Sequence, residues 1–524
     1  MLGGKRLAVL GTAATGVVFS LGGVGLATAR SHHAHHHGVR GAATRQQAYL
    51  KYVHRHAKGA HIASGGTAND GNLAAQMAAY SNERTAPGFT LSGQALVAAL
   101  AQRNQMHVSG TAWEEVTTKP YQAQPDTYTD PFWGNEGAGF SIVGGRTTAL
   151  AAGPDGTWFA GTADGGVWRS SDQGQHWTPT FDSMPTLSIG SLAIDPTDGS
   201  LWVGTGEANT SQDSYAGTGV YRSTDDGASY QRVGDLSDGS NPIAGRTVFQ
   251  VVFAPDGTAY AATNDGLWRM AAGSNTWTEV LAPAASNPQP YYFDQATTVQ
   301  VVPGTNGADV IASINWRSGN APTSGFYEST DGGLTWSMVT ISGAINASDI
   351  GRTTFAYSAD GSKLYAVVES PNQLNAGAIS NLQGVYVSTG SPASVAGPWT
   401  LIANATILGN SGSANAYGPS SPGAQAWYNQ TLAVDPHNPN HVYLGLEEVF
   451  QTNNGGASWI TAAPYWNYPF PCDQTNSCPK TTHPDQHALM IVGGKVVSGN
   501  DGGVYTRPLN DEMQYGGWSN SGTT

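Results

Sequence analysis

The sequence predicts an all-β protein, a single seven-bladed β-propeller preceded by a short helical N-terminal segment. Three observations carry that expectation. A turn recurs as Ser170-Ser-Asp-Gln-Gly-Gln-His-Trp177, Ser223-Thr-Asp-Asp-Gly-Ala-Ser-Tyr230 and Ser329-Thr-Asp-Gly-Gly-Leu-Thr-Trp336, with a degenerate copy at Thr452-Asn-Asn-Gly-Gly-Ala-Ser-Trp459. Self-similarity of this kind marks repeat architectures. Each copy also sits in a unit of four strand-like runs separated by turn residues. Finally, 68 Gly stand beside 15 Trp and 22 Tyr in 524 residues, a composition suited to short strands joined by tight turns.

Taken in order, residues 1–29 read as a secretory signal: Lys5 and Arg6, an apolar run from Leu7 to Leu26, then Ala27-Thr28-Ala29 as the cleavage site. The run is about long enough to span a bilayer, but its many Gly, Ala and Thr residues suit cleavage better than a retained anchor. No later stretch is long and apolar enough to cross a membrane, so the expected localisation is secreted, or extracellular. Residues 30–44 form a His-rich linker whose His32–His37 tract reads as a flexible surface tract or a transition-metal binder. Residues 45–110 carry helical periodicity, as in Leu96, Val97, Leu100 and Ala101. The propeller is assigned to 111–524.

Its first unit sets the pattern: Thr147-Thr-Ala-Leu-Ala-Ala, a Pro154-Asp-Gly turn, Thr157-Trp-Phe-Ala-Gly, an Asp164-Gly-Gly turn, Val167-Trp-Arg-Ser, the repeated turn, and a last strand at Trp177. These make four antiparallel strands, one propeller blade. First strands recur near Ile189, Thr247, Thr297, Thr353, Gln430 and Ala488, so seven blades fall between about Arg146 and Trp518. Blades three, five and seven lack a proper copy of the turn but keep the strands, as in Leu267-Trp-Arg and Val504-Tyr-Thr-Arg. The segment at 111–118 is the expected closing strand of the last blade. Cys472 and Cys478 share one loop, and in an exported chain they read as a local disulfide that fixes loop shape.

Charge narrows the function. Only 11% of residues are charged and the net charge is −14, against roughly 25% charged in an average soluble chain. The balance argues against general nucleic-acid binding, which needs a basic footprint.

The turn S-x-D-x-G-x-x-W resembles the Asp-box of sialidase-like propellers. Together with Gly204-Thr-Gly-Glu-Ala-Asn209, Asp213-Ser-Tyr215, His483-Pro-Asp-Gln-His-Ala488 and Asn500-Asp-Gly-Gly-Val504, the chain from about Gln46 to Trp518 is similar to secreted bacterial Asp-box proteins. That family is named for glycosyl hydrolases or sortilin-type propellers. The resemblance points to an extracellular carbohydrate ligand, and no cofactor is expected beyond the divalent metal that His483, Asp485 and His487 could hold. Xyloglucan-cleaving relatives use an Asp two residues before the Gly-Gly of blade one, whereas this chain has Ala163 there and Asp164 one place later. No Arg-Ile-Pro motif of true sialidases is present.

Propeller geometry sorts the candidate site residues. The turns between second and third strands share a face with the connectors between blades, around the channel mouth. Arg146, Arg246 and Arg352 each open an inner strand after a glycine and form either an anion cradle or ion pairs that hold the ring. On the same face Glu207, Asp213 and Glu447 supply carboxylates and Tyr215 a polar aromatic, as glycosidic hydrolysis requires of an acid and a partner base or nucleophile. Glu369 lies at an equivalent strand end. Asp164 and Asp501 belong to D-G-G turns, where Asp serves turn geometry. If extended, His483, Asp485 and His487 project to one side. They suit acid–base catalysis, a divalent metal or a buried hydrogen-bond network. The expected function is a glycoside hydrolase acting on extracellular polysaccharide or glycan, with loop aromatics such as Tyr465-Trp-Asn-Tyr468 available for stacking. The alternative is a noncatalytic glycan- or protein-binding scaffold at the cell surface.

Overall fold

The structure, a computed structural model, describes residues 93–107, 121–122, 142–209, 214–283, 295–317, 319, 322–413, 421–464 and 481–521. Seven four-stranded antiparallel sheets, each formed from consecutive strands, make up the propeller. The first strands of the blades are Thr147–Ala152, Ile189–Ile194, Val248–Phe253, Gln295–Val301, Thr353–Tyr357, Thr431–Asp435 and Gln486–Val492. Successive first strands are neighbours, and that of blade seven lies beside that of blade one, which closes the ring. Close approach at the axis is built on small residues. A Cβ added to Gly190 would lie 2.1 Å from the Val248 carbonyl oxygen and 2.3 Å from that of Gly206, so blades two and three meet backbone to backbone.

The four repeated turns share one hydrogen-bond pattern. In the first, Ser170 Oγ accepts from the Gly174 amide at 2.8 Å, and Asp172 Oδ1 accepts from the amides of Gln175 and His176 at 3.0 and 2.9 Å. The degenerate copy reproduces this: the Gly456 amide donates to Thr452 Oγ1, and the Ser458 amide donates to Asn454 Oδ1. Gly174 and Gly456, at φ +86° and +94°, take the left-handed conformation that favours glycine.

The terminal aromatics tie each blade to the one before it. Tyr230 bonds Thr180 of blade one, Trp459 Nε1 donates to the Ile402 carbonyl of blade five, and Trp177 Nε1 donates to the Ser521 carbonyl across the closing seam. Blades without the repeated turn do the same with other aromatics. Trp277 packs edge-on against Trp202 of blade two, and Trp518 Nε1 donates to the Ala462 carbonyl of blade six. Core clusters therefore lie between adjacent sheets.

The closure differs from expectation. The outer strand of blade seven is Ser519–Asn520, paired with Thr506 and Tyr505. The chain after Pro508 is long enough to turn back, and buried Trp518 anchors its return. The segment 111–118 lies outside the described residues. So do the leader, the His32–His37 tract, Cys472, Cys478, Asp213 and Tyr465–Tyr468. Of the N-terminal helical segment, one helix is described, Gly93–Gln105. A two-stranded ribbon, Tyr121–Gln122 with Ile142–Val143, and two short helices, Pro371–Asn375 and Ala405–Gly409, were not anticipated. No helix among the described residues is long and apolar enough to cross a membrane.

Candidate functional site at the channel mouth

The ends of the inner strands carry a network of polar side chains drawn from six of the seven blades. Arg146, just before the first strand of blade one, meets Glu207, just after the second strand of blade two, through Nε–Oε1 at 2.8 Å and Nη2–Oε2 at 3.0 Å. Glu207 is 1% exposed and also accepts from Asn209 and Ser214. Asn209 accepts in turn from Arg352 Nη2 of blade five at 3.3 Å.

The hub is a strap, residues 421–430, that leads into blade six. Arg352 Nη1 donates to the carbonyls of Trp427 and Tyr428 at 3.1 and 2.6 Å. Arg317 of blade four stacks its guanidinium 4.1 Å from the Trp427 ring centre, and Arg146 Nη1 donates to the Tyr428 hydroxyl at 3.3 Å. Three arginines from three blades thus converge on one dipeptide. Burial lowers the Arg352 pKa to about 10. Glu447, 2% exposed, holds the strap from below by accepting from the amides of Gly423 at 2.9 Å and Gln425 at 2.5 Å. Burial pushes its carboxyl up, and those two amides pull it back.

Blade seven supplies two carboxylates. Asp501 Oδ1 accepts from His487 Nε2 at 2.7 Å and from the Tyr428 hydroxyl at 3.2 Å. Its other oxygen meets only that hydroxyl, at 3.5 Å, among the described residues. Asp485 Oδ1 accepts from Asn429 Nδ2 at 2.8 Å, and the Asp501 amide donates to the Asp485 carbonyl. Burial, then the charges of Asp501 and Glu447, drive the Asp485 carboxyl well above its ordinary range. Burial pushes Asp501 the same way, but the His487 hydrogen bond and the charges of His487 and Arg146 outweigh it and hold Asp501 low. Neighbouring carboxyls pushed in opposite directions have the character that lets two acids divide acid and base roles.

Among the expected site residues, the structure gathers Arg146, Glu207, Arg352, Asp485 and His487. Arg246 stands apart, bonded to Asp265 at 2.8 Å and stacked on Trp268 within its own blade. No three-arginine cradle of 146, 246 and 352 forms, and Arg317 takes the third place. Tyr215 lies beside the site through its carbonyl, which accepts from the Glu207 amide. The alternation expected of 483, 485 and 487 fails. Asp485 adopts φ +64° and the register shifts between Gln486 and Ala488, so the extended run is broken. His483 turns to the Pro484 carbonyl, against which a Cβ on Gly502 would leave no room, lying 2.4 Å from His483 Cβ. Burial lowers its pKa. No three His, Cys, Asp or Glu side chains among the described residues are grouped to hold one metal ion. Tyr428 and Asn429 carried no motif in the sequence, and Asp501 read as a turn residue.

No protein-family model matches the chain. Over 214 residues it is 26% identical to a xyloglucanase from Paenibacillus sp., a stretch covering 35% of this chain and 19% of that protein. Among solved structures it is similar to the GH74 xyloglucanase from Xanthomonas campestris, with 20% identity and TM-score 0.49 over 72% of this chain and 55% of that one. The GH74 enzyme of Niastella koreensis gives 17% identity and TM-score 0.48 over 72% and 54%. The YCF48 protein of Cyanidioschyzon merolae gives 14% and 0.43 over 69% and 95%. The matched region spans about half the length of the two GH74 structures and about a fifth of the Paenibacillus protein.

Proposed function

We propose that this protein is a secreted, carbohydrate-active propeller of the Asp-box type, a glycoside hydrolase acting on an extracellular polysaccharide or glycan at the channel mouth. The observation that carries this reading is the Asp485–Asp501 pair, one carboxyl driven up and its neighbour held down. Asp485 is anchored through Oδ1 to Asn429 of the strap, and Asp501 through Oδ1 to His487 and Tyr428, with Oδ2 3.5 Å from that same hydroxyl. Asp485 gives its proton to the leaving glycosidic oxygen as the bond to the anomeric carbon breaks. Asp501 takes a proton from the attacking water or itself attacks that carbon. Glu207, ion-paired with Arg146, serves the frame and not the proton transfers. The stretch of similarity to a xyloglucanase supports a polysaccharide substrate.

A noncatalytic binding scaffold is the second reading. What favours it is that Arg146, Arg246, Arg352 and Glu447 are all engaged within the protein. Reducing-end release from a polysaccharide panel separates the two. Release that disappears in folded Asp485→Asn and Asp501→Asn variants supports the hydrolase. Retention of a glycan without product supports the scaffold.

A further inference from the structure

The partners of the two carboxylates are consecutive residues of one strap from another blade. Tyr428 reaches Asp501 and Asn429 reaches Asp485, across 73 and 56 residues of sequence. We propose that Tyr428 and Asn429 are positioning residues that hold the two carboxylates of blade seven from the blade-six strap, one hydrogen bond to each.

The direction of each bond is fixed by chemistry. Arg146 has only donors, so the Tyr428 oxygen accepts from it and its single proton goes to Asp501. Burial, followed by the charge of Asp501, keeps that phenol protonated throughout the working range. Asn429 Nδ2 donates to Asp485. Three anchors hold the strap in place: Glu447 on the amides of Gly423 and Gln425, Arg352 on the carbonyls of 427 and 428, and the edge-on contact of Tyr428 with His487 at 4.7 Å. A donor held this rigidly loses little entropy on bonding. It favours the charged form of the carboxylate that accepts from it. Asp501 is faced by His487, His483, Arg146 and Asp485, and Asp485 by Asp501, Glu447 and Arg146. None of these changes in a Tyr428→Phe or Asn429→Leu variant.

This inference rests on the acid–base reading of the pair, but its test does not need turnover. In protein carbon-labelled at aspartate, the carboxyl signals of residues 485 and 501 are assigned with Asp485→Asn and Asp501→Asn and titrated by NMR without substrate. The unaltered protein should show two well-separated midpoints, Asp485 above Asp501. Tyr428→Phe should raise the Asp501 midpoint, leaving that of Asp485 in place, and Asn429→Leu should raise the Asp485 midpoint. A merely structural strap would change melting temperature and leave both midpoints unmoved. Midpoints unchanged in either folded variant, or a single shared midpoint in the unaltered protein, would overturn the proposal. Absence of sugar release with these shifts present would overturn only the hydrolase reading.

Discussion

Arg146 and Glu207 form a two-point ion pair that joins the start of blade one to the mouth of blade two, with separations of 2.8 and 3.0 Å. Glu207 is almost wholly removed from water, so losing the guanidinium is costly even with Asn209 and Ser214 still donating to it. Arg146→Met should cost about 3–5 kcal/mol, the penalty for removing one member of a buried ion pair. Arg146→Met with Glu207→Leu should recover much of that loss. Thermal melts of the three variants check both statements.

The two blade-seven acids impose opposite pH dependences. Asp485, with its folded pKa raised, binds its proton more tightly when folded. Its contribution to stability is largest at acid pH and falls as the pH rises from the unfolded value, about 3.9, through the folded midpoint. Asp501, with its folded pKa lowered, contributes above the unfolded value and loses that contribution as the pH falls through its folded midpoint. Asp485→Asn should therefore melt higher than the unaltered protein at neutral pH, with the gain shrinking toward acid pH. Asp501→Asn should melt lower at neutral pH, and its deficit should shrink as the pH falls.

Glu447 ties the strap to the ring by accepting two backbone amides. Glu447→Ala leaves both donors without that partner, at about 1–3 kcal/mol each. Hydrogen exchange should show the amides of Gly423 and Gln425 exchanging faster in that variant, while the amides of blade two keep their protection.

At Gly190 the inner strands of blades two and three touch through backbone. Gly190→Ala should destabilise by ~3 kcal/mol, since carbonyl oxygens have little room to yield. Gly153→Ala provides the contrast. Its added Cβ meets the side-chain oxygen of Asp155 at 2.8 Å, on the turn between the first two strands of blade one, so its cost should be smaller in the same melts.

The fold was legible because its determinants are local. Ser170, Asp172 and Gly174 make their turn bonds within five residues of one another, so one short pattern read four times counts most of the ring. The site was legible only in part. Arg146, Glu207 and Arg352 could be placed because every strand end of one kind must share a face. Their pairing could not be read, because the Arg146–Glu207 contact spans 61 residues and Arg352–Asn209 spans 143. Tyr428 and Asn429 sit in a polar stretch with no periodicity, and only the path of the strap across the mouth brings them to blade seven. Asp501 was read as a turn residue because Asp-Gly-Gly needs nothing more to be explained. The pairing of Asp501 with His487 is not legible, because the left-handed Asp485 breaks the alternation that groups His487 with His483 and Asp485.

The pH profile of reducing-end release from a cleaved polysaccharide reports on the division of roles between Asp485 and Asp501. A bell-shaped profile is expected. Its acid limb follows the Asp501 midpoint and moves up in Tyr428→Phe, its alkaline limb follows the Asp485 midpoint, and Asp485→Asn or Asp501→Asn abolishes turnover in folded protein. Undiminished release from both Asn variants across the same range would contradict it.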